Sequence, residues 1–174
     1  NTINILVFFS RIAVADSPIF PMSFTVHGIR RCIFHGDDAM KRLPVLITQY
    51  DMECLRLILG QHKENVFPEL KKRLAQASVV HAGSIPAETV TIYSKVRLKD
   101  VATGDECVLR IVLPGDEALR QGRISVTRPF GAVLLGSSIG DVVERMMVSP
   151  AAAFKMKVVE ILYQPERNGH FNMK

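Results

Sequence analysis

The residues of this chain that could do chemistry are scattered, and each lacks the neighbours that its chemistry requires. Ser137 and Ser138 follow Gly136, as a nucleophilic serine on a tight turn would. Such a hydroxyl needs a base to take its proton, and no histidine lies near this pair in sequence. A hydroxyl beside a helix end is more commonly a cap or turn residue. Cys32, Cys54 and Cys107 are odd in number and lack metal-ligand spacing, and His27, His35, His62, His81 and His170 form no His-x-x-x-His pair. Neither a glycine-rich phosphate loop nor a nucleophile elbow is present. The expectation is a protein that is not an enzyme and that carries no metal or cofactor.

One group suited to binding stands out. Lys71, Lys72 and Arg73 make a basic patch to which Lys63 adds. It suits nucleic acid or an acidic channel wall, or it is simply a solvated helix face.

These residues need elements to position them. Thr48 with Asp51 three residues on resembles a capping box, and Met52, Leu55 and Leu59 then recur at helical spacing up to Gly60. Pro68 suits the first turn of a second helix, along which Phe67, Leu70, Leu74 and Ala77 repeat in steps of three and four. Two arrangements fit these stripes: an antiparallel two-helix coiled coil, or two helices lying flat on a core. Residues 79–88, with Gly83 and Pro86, read as a linker.

Beyond the linker the period becomes two. Val90, Ile92, Val96 and Leu98 share one strand face, and Cys107, Leu109, Ile111 and Leu113 share another after a turn at 100–105. Ile124 to Asp141 holds a strand end, then Pro129 at a first helical position, the apolar Val133, Leu134 and Leu135, and Gly136 where a left-handed cap is needed. Gly140 and Asp141 turn the chain into a strand over 142–148, and another strand spans 154–163. The class is α+β: a short helical hairpin, then an antiparallel sheet with one packed helix. Residues 167–174 are expected to fray.

Composition sets loose bounds. At 174 residues the chain allows one ordinary domain or two small modules. The formal charge of +5 fits an acidic partner, although a solvated surface is the commoner explanation. Cys107 on an apolar strand register reads as a reduced core thiol, which favours a reducing cytoplasm. Residues 3–9 are apolar, but no basic residue precedes them and Arg11 interrupts soon after, so a signal peptide is not expected. Met22 and Met40 precede more orderly sequence, so residues 1–39 are expected to lie outside the functional module.

The string ISVTRPFGAVLLGSSIGD, Ile124 to Asp141, resembles the C-terminal domain of the Gre-type transcription elongation factors of bacteria. AETVTIYSKVRLKDVATGDECVLRIVL, Ala87 to Leu113, resembles its opening hairpin, and VVEILYQPE, Val158 to Glu166, its closing strand. The ending Tyr163-Gln164-Pro165-Glu166 is similar to the Rnk-like branch, regulators of nucleoside diphosphate kinase. The resemblance runs from about Pro44 to Glu166 and implies a short coiled-coil hairpin over 44–82 and an FKBP-like domain over 87–166. It implies RNA polymerase as partner, with the domain docked at the rim of the secondary channel. The matching contacts are Arg128, Pro129, Phe130, Gly131, Ser137 and Asp141. Phe130 reads either as an aromatic anchor for the partner or as a cover for the sheet edge, and Asp141 either as a contact or as a turn cap.

The hairpin tip departs from the family pattern. Gre-type cleavage factors present paired acids there to hold magnesium, a hard cation that favours carboxylate oxygens. Here Lys63, Glu64 and Asn65 supply one carboxylate beside a cation. Helices of about fourteen residues would reach roughly 20 Å. The expected protein is a monomeric cytoplasmic regulator, off the membrane, that occupies the secondary-channel site without cleaving RNA and has nucleic acid of the transcription complex as a possible further partner. The alternatives are a cleavage stimulator working through Glu64, and an FKBP-like prolyl isomerase. The isomerase would need an aromatic-lined pocket, and the chain has no Trp and three Tyr.

Overall fold

Thr48 does at the first helix what its spacing to Asp51 predicts. In the computed structural model, which describes residues 45–61, 66–145 and 154–170, Thr48 is extended and its Oγ1 accepts from the Asp51 N–H at 3.0 Å. That bond satisfies a donor that the helix itself cannot. Helix α1, Gln49–Gly60, buries Asp51, Met52 and Leu55. Helix α2, Pro68–Ala75, opens on the predicted proline. The tip residues Lys63, Glu64 and Asn65 and the extension 1–39 lie outside the described residues.

The N-terminal arm, from Val45 to Val80, differs from the projecting coiled coil implied by the resemblance. Strand β1, Val45–Thr48, runs into α1, and strand β2, Ala77–Val80, follows α2. The two strands pair in parallel, Val45 opposite Ala77 through Thr48 opposite Val80. The helices therefore form the crossover that a parallel pair requires, and β2 occupies the start of the predicted linker. Leu55 and Leu70, the latter 1% exposed, belong to one apolar cluster with the sheet, and α2 lies against a later helix. The apolar stripe was legible; its partner was not. A helix of eight residues is too short to stand alone in water and gains its stability by packing on the core.

The larger sheet holds β3 (Lys95–Asp100), β4 (Glu106–Val112), β5 (Arg123–Ser125), β6 (Val142–Arg145) and β7 (Phe154–Tyr163) in the order β5-β4-β3-β7-β6. Helix α3, Pro129–Leu134, lies between β5 and β6 in sequence. Val96, Leu98, Leu109, Ile111, Ile124, Met156 and Val158 bury one face with Phe130 and Leu134 of α3. The sheet is mixed: β4 and β5 run parallel, which corrects the antiparallel expectation. A strand of three residues is too short for alternation to reveal its direction. Gly122, at φ 74, makes the return possible, because a Cβ there would stand 2.9 Å from the Val108 carbonyl oxygen.

A second correction concerns the strand expected from Val90. The ladder begins only at Lys95, after a turn in which the Ser94 N–H donates to the Thr91 carbonyl at 3.1 Å. Tyr93 takes the left-handed φ of 66 in that turn, and its hydroxyl donates to Asp116 Oδ2 at 3.0 Å. Val90 and Ile92 are buried all the same, so their alternation mimicked a strand. At the other end residues 167–170 are tied down rather than frayed. Glu166–Asn168 forms a 3₁₀ turn, Asn168 Nδ2 donates to the Gln164 carbonyl at 2.7 Å, and Tyr163 Oη lies 2.8 Å from His170 Nδ1. Among the described residues no helix is long and apolar enough to cross a membrane.

Candidate functional site

The stretch from β5 to β6 is built around one close approach. Helix α3 crosses the end of β5 so tightly that a Cβ on Gly131 would stand 2.1 Å from the Ser125 carbonyl oxygen. Only glycine fits there. Arg128 is the extended residue before Pro129, and α3 ends as predicted on Gly136 in a left-handed conformation, φ 70. The Gly136 N–H donates to the Val90 carbonyl, and the Val90 N–H to the Ser137 carbonyl, each at 2.8 Å.

The six residues singled out by resemblance divide into two groups. Phe130 is fully buried, so the anchor reading gives way to the covering one: the ring faces the sheet and not a partner. Gly131 is internal. Ser137 is 1% exposed; its Oγ donates to the Val133 carbonyl at 3.0 Å and accepts from Arg73 Nη2 at 3.0 Å. Those partners make it a helix-end residue without a base. Arg128, Pro129 and Asp141 reach the surface. Arg128 forks onto Glu117, Nε to Oε1 at 3.1 Å and Nη2 to Oε2 at 3.2 Å. Asp141 caps its own turn, its Oδ2 accepting from the Ser138 N–H at 2.8 Å.

The basic patch divides as well. Lys72 is exposed and Lys71 half-buried, whereas Arg73 turns inward. Its Nε donates to the Leu135 carbonyl at 2.8 Å and its Nη2 to Ser137, so α2 is fastened to the end of α3. A run of cations reads as one solvated face until a neighbouring helix presents an unpaired carbonyl.

Two carboxylates at the same junction, read in the sequence as a capping-box partner and as part of the closing strand, are drawn into the fold. Asp51, 3% exposed, accepts from the Ile92 N–H at 3.1 Å through Oδ2, joining α1 to the turn before β3. Burial pushes its pKa up to about 7, with the Glu166 charge adding, while the bonds from Ile92 and Thr48 pull the other way. Glu166 is raised by burial too, and its Oε2 accepts from the Thr91 hydroxyl at 2.7 Å. Gln164 Nε2 donates to the carbonyls of Pro86 and Thr89 at 2.9 and 2.8 Å. The Tyr-Gln-Pro-Glu ending is therefore a clamp on residues 86–91. Cys107 is buried on β4 and its thiol is pushed up to about 12, in keeping with a core role. No three His, Cys, Asp or Glu side chains among the described residues are grouped to hold a metal ion. The built features here fasten and position backbone.

Known proteins are similar to this chain in sequence, and one solved structure is similar in fold. The family described as transcription elongation factor, GreA/GreB, C-term, matches residues 85–163. The regulator of nucleoside diphosphate kinase of Escherichia coli (strain K12) is 28% identical over 135 residues, 76% of this chain and 98% of that protein. Transcription elongation factor GreA of Hyphomonas neptunium (strain ATCC 15444) is 33% identical over 101 residues, but the chain covers only 63% of its length. A solved prokaryotic transcription elongation factor GreA/GreB from Nitrosomonas europaea is 32% identical, covering 68% of this chain and 99% of that one with a TM-score of 0.59. The family match spans the five-stranded sheet and α3, and the chain belongs to the GreA/GreB transcription elongation factor family as an Rnk-like member.

Proposed function

We propose that this protein is a non-enzymatic transcription regulator that docks its head, an FKBP-like domain over 87–166, on RNA polymerase at the secondary-channel rim and leaves RNA uncleaved. One observation carries the reading. Helix α2 has eight residues and is held to the head by Arg73 and Leu70, so the arm lies against the head. Eight residues span roughly 12 Å, far less than a finger needs to bring metal ligands into a deep active centre. The tip sequence supports the same conclusion, since Glu64 is the one carboxylate between Lys63 and Asn65.

Docking is assigned to the surface side of the α3 segment. Arg128, Pro129 and Asp141 present themselves there, while Phe130, Gly131 and Ser137 shape the segment from beneath. Lys71 and Lys72 stand ready to meet an acidic channel wall. Occupying the rim would exclude true cleavage factors, and an effect on nucleoside diphosphate kinase would follow through transcription. Polymerase pull-down with the full chain tests this. Wild type is expected to retain polymerase and Arg128→Glu/Asp141→Lys to lose about tenfold in affinity; a wild-type chain that ignores polymerase refutes the proposal.

A further inference from the structure

We propose that the outward face of the five-stranded sheet binds single-stranded nucleic acid along a row of Arg123, Arg110 and Lys95 that ends on the ring of Tyr163. The register puts these side chains together. Arg123 of β5 pairs with Arg110 of β4, Arg110 with Lys95 of β3, and Lys95 with Tyr163 of β7. Arg123, Arg110 and Lys95 alternate with the buried Ile124, Leu109 and Val96, and a register shift after Ile161 sets Tyr163 opposite Lys95, so all four share the outer side of the sheet, Lys95 exposed and the others half-buried. Strands about 4.8 Å apart make the row roughly 15 Å long.

The charge of this row is uncompensated. Elsewhere on the face Arg97 meets Glu160 at 3.3 Å and Lys155 meets Glu144 at 3.3 Å. Among the described residues Arg123, Arg110 and Lys95 have no such partner, and Arg123 Nε is buried without an acceptor. Three neighbouring cations without a counter-charge repel one another, and an anionic ligand removes that repulsion.

The aromatic end favours nucleic acid over an acidic protein. The Arg110 guanidinium lies 5.5 Å from the Tyr163 ring centroid, and the His170 ring lies 6.3 Å from it. Guanidinium groups grip phosphate oxygens bidentately, and flat rings beside a cationic track accept bases by stacking. A carboxylate partner would use the cations but have no use for the ring.

The test is fluorescence anisotropy of a labelled oligouridine RNA of about twelve nucleotides with the full chain, at about 50 and 200 mM salt. Lys95→Ala/Arg110→Ala is expected to weaken binding at least about tenfold and to flatten the log–log salt slope by about 1.4, two phosphate contacts at roughly 0.7 each. Tyr163→Leu should weaken binding about fivefold without changing the slope. Lys155→Ala, which removes an ion-paired cation, should change neither. Should the double variant fail to fold, Lys95→Glu at its exposed position must still weaken binding. No binding by wild type, an unaltered slope in the double variant, or capture of oligoglutamate instead of RNA overturns the assignment. The inference is independent of polymerase docking: a chain that binds polymerase but no oligonucleotide loses only this site.

Discussion

The head and the arm are held by different forces. The head is a five-stranded ladder whose inner side chains are sealed from water, so its stability is spread over many backbone bonds and a continuous apolar face. The arm has its own two-stranded sheet and joins the head through Val45, Ile47, Met52, Leu55 and Leu70 in one apolar cluster, together with a few polar contacts: Arg73 on Leu135 and Ser137, and Asp51 on Ile92. A distributed interface resists single changes. The polar contacts of the arm are fewer, so one side chain or one proton bears on how it is held.

Four substitutions probe that contrast, in falling order of effect. Gly131→Ala forces a Cβ against the Ser125 carbonyl and should destabilise the head, and the arm with it, by more than about 3 kcal/mol in urea unfolding. Arg73→Ala strands the buried Leu135 carbonyl and should cost about 2 kcal/mol. Hydrogen exchange should then quicken in α1 and α2 while the amides of β3 and β7 stay protected; equal quickening everywhere would erase the distinction between the regions.

The third lies on the pH axis. Asp51 is raised in the folded state from 3.8 to about 7, so between those values the folded chain binds more protons than the unfolded one. Its contribution is fully present below about pH 4 and is lost as pH rises through about 7. Glu166 is shifted in the same direction. Asp51→Asn should flatten the fall in stability between about pH 5 and 7, a slope on the order of 1 kcal/mol per pH unit. An unchanged pH profile would show that this carboxyl is not the sensor. The fourth and smallest is Glu117→Ala. It removes the Glu117 partner of Arg128 where both side chains keep a quarter to a third of their exposure, and should cost less than about 1 kcal/mol, falling further with salt.

The sequence was most readable where structure is local. The Thr48 cap, the prolines at 68 and 129 and the left-handed Gly136 each depend on backbone geometry within a few residues. What it hid is tertiary. The stripe on Leu55 and Leu70 shows an apolar face without saying that the sheet covers it. Neither β1 with β2 nor β4 with β5 announces a parallel partner, because pairing joins residues far apart or strands too short to carry a pattern. Phe130 in a six-residue helix has too few neighbours to reveal its side. Asp51 at a third helical position looks like any solvated acid until Ile92 and Glu166 close over it.

On the proposed function, a Gre-type head engages polymerase while its arm brings no cleaving centre. A backtracked elongation complex incubated with the full chain tests it most directly, reading polymerase occupancy and RNA length together. The expected result is a bound protein that blocks a cleavage factor and releases no RNA. Release of short 3′ fragments, abolished by Glu64→Ala, would contradict it.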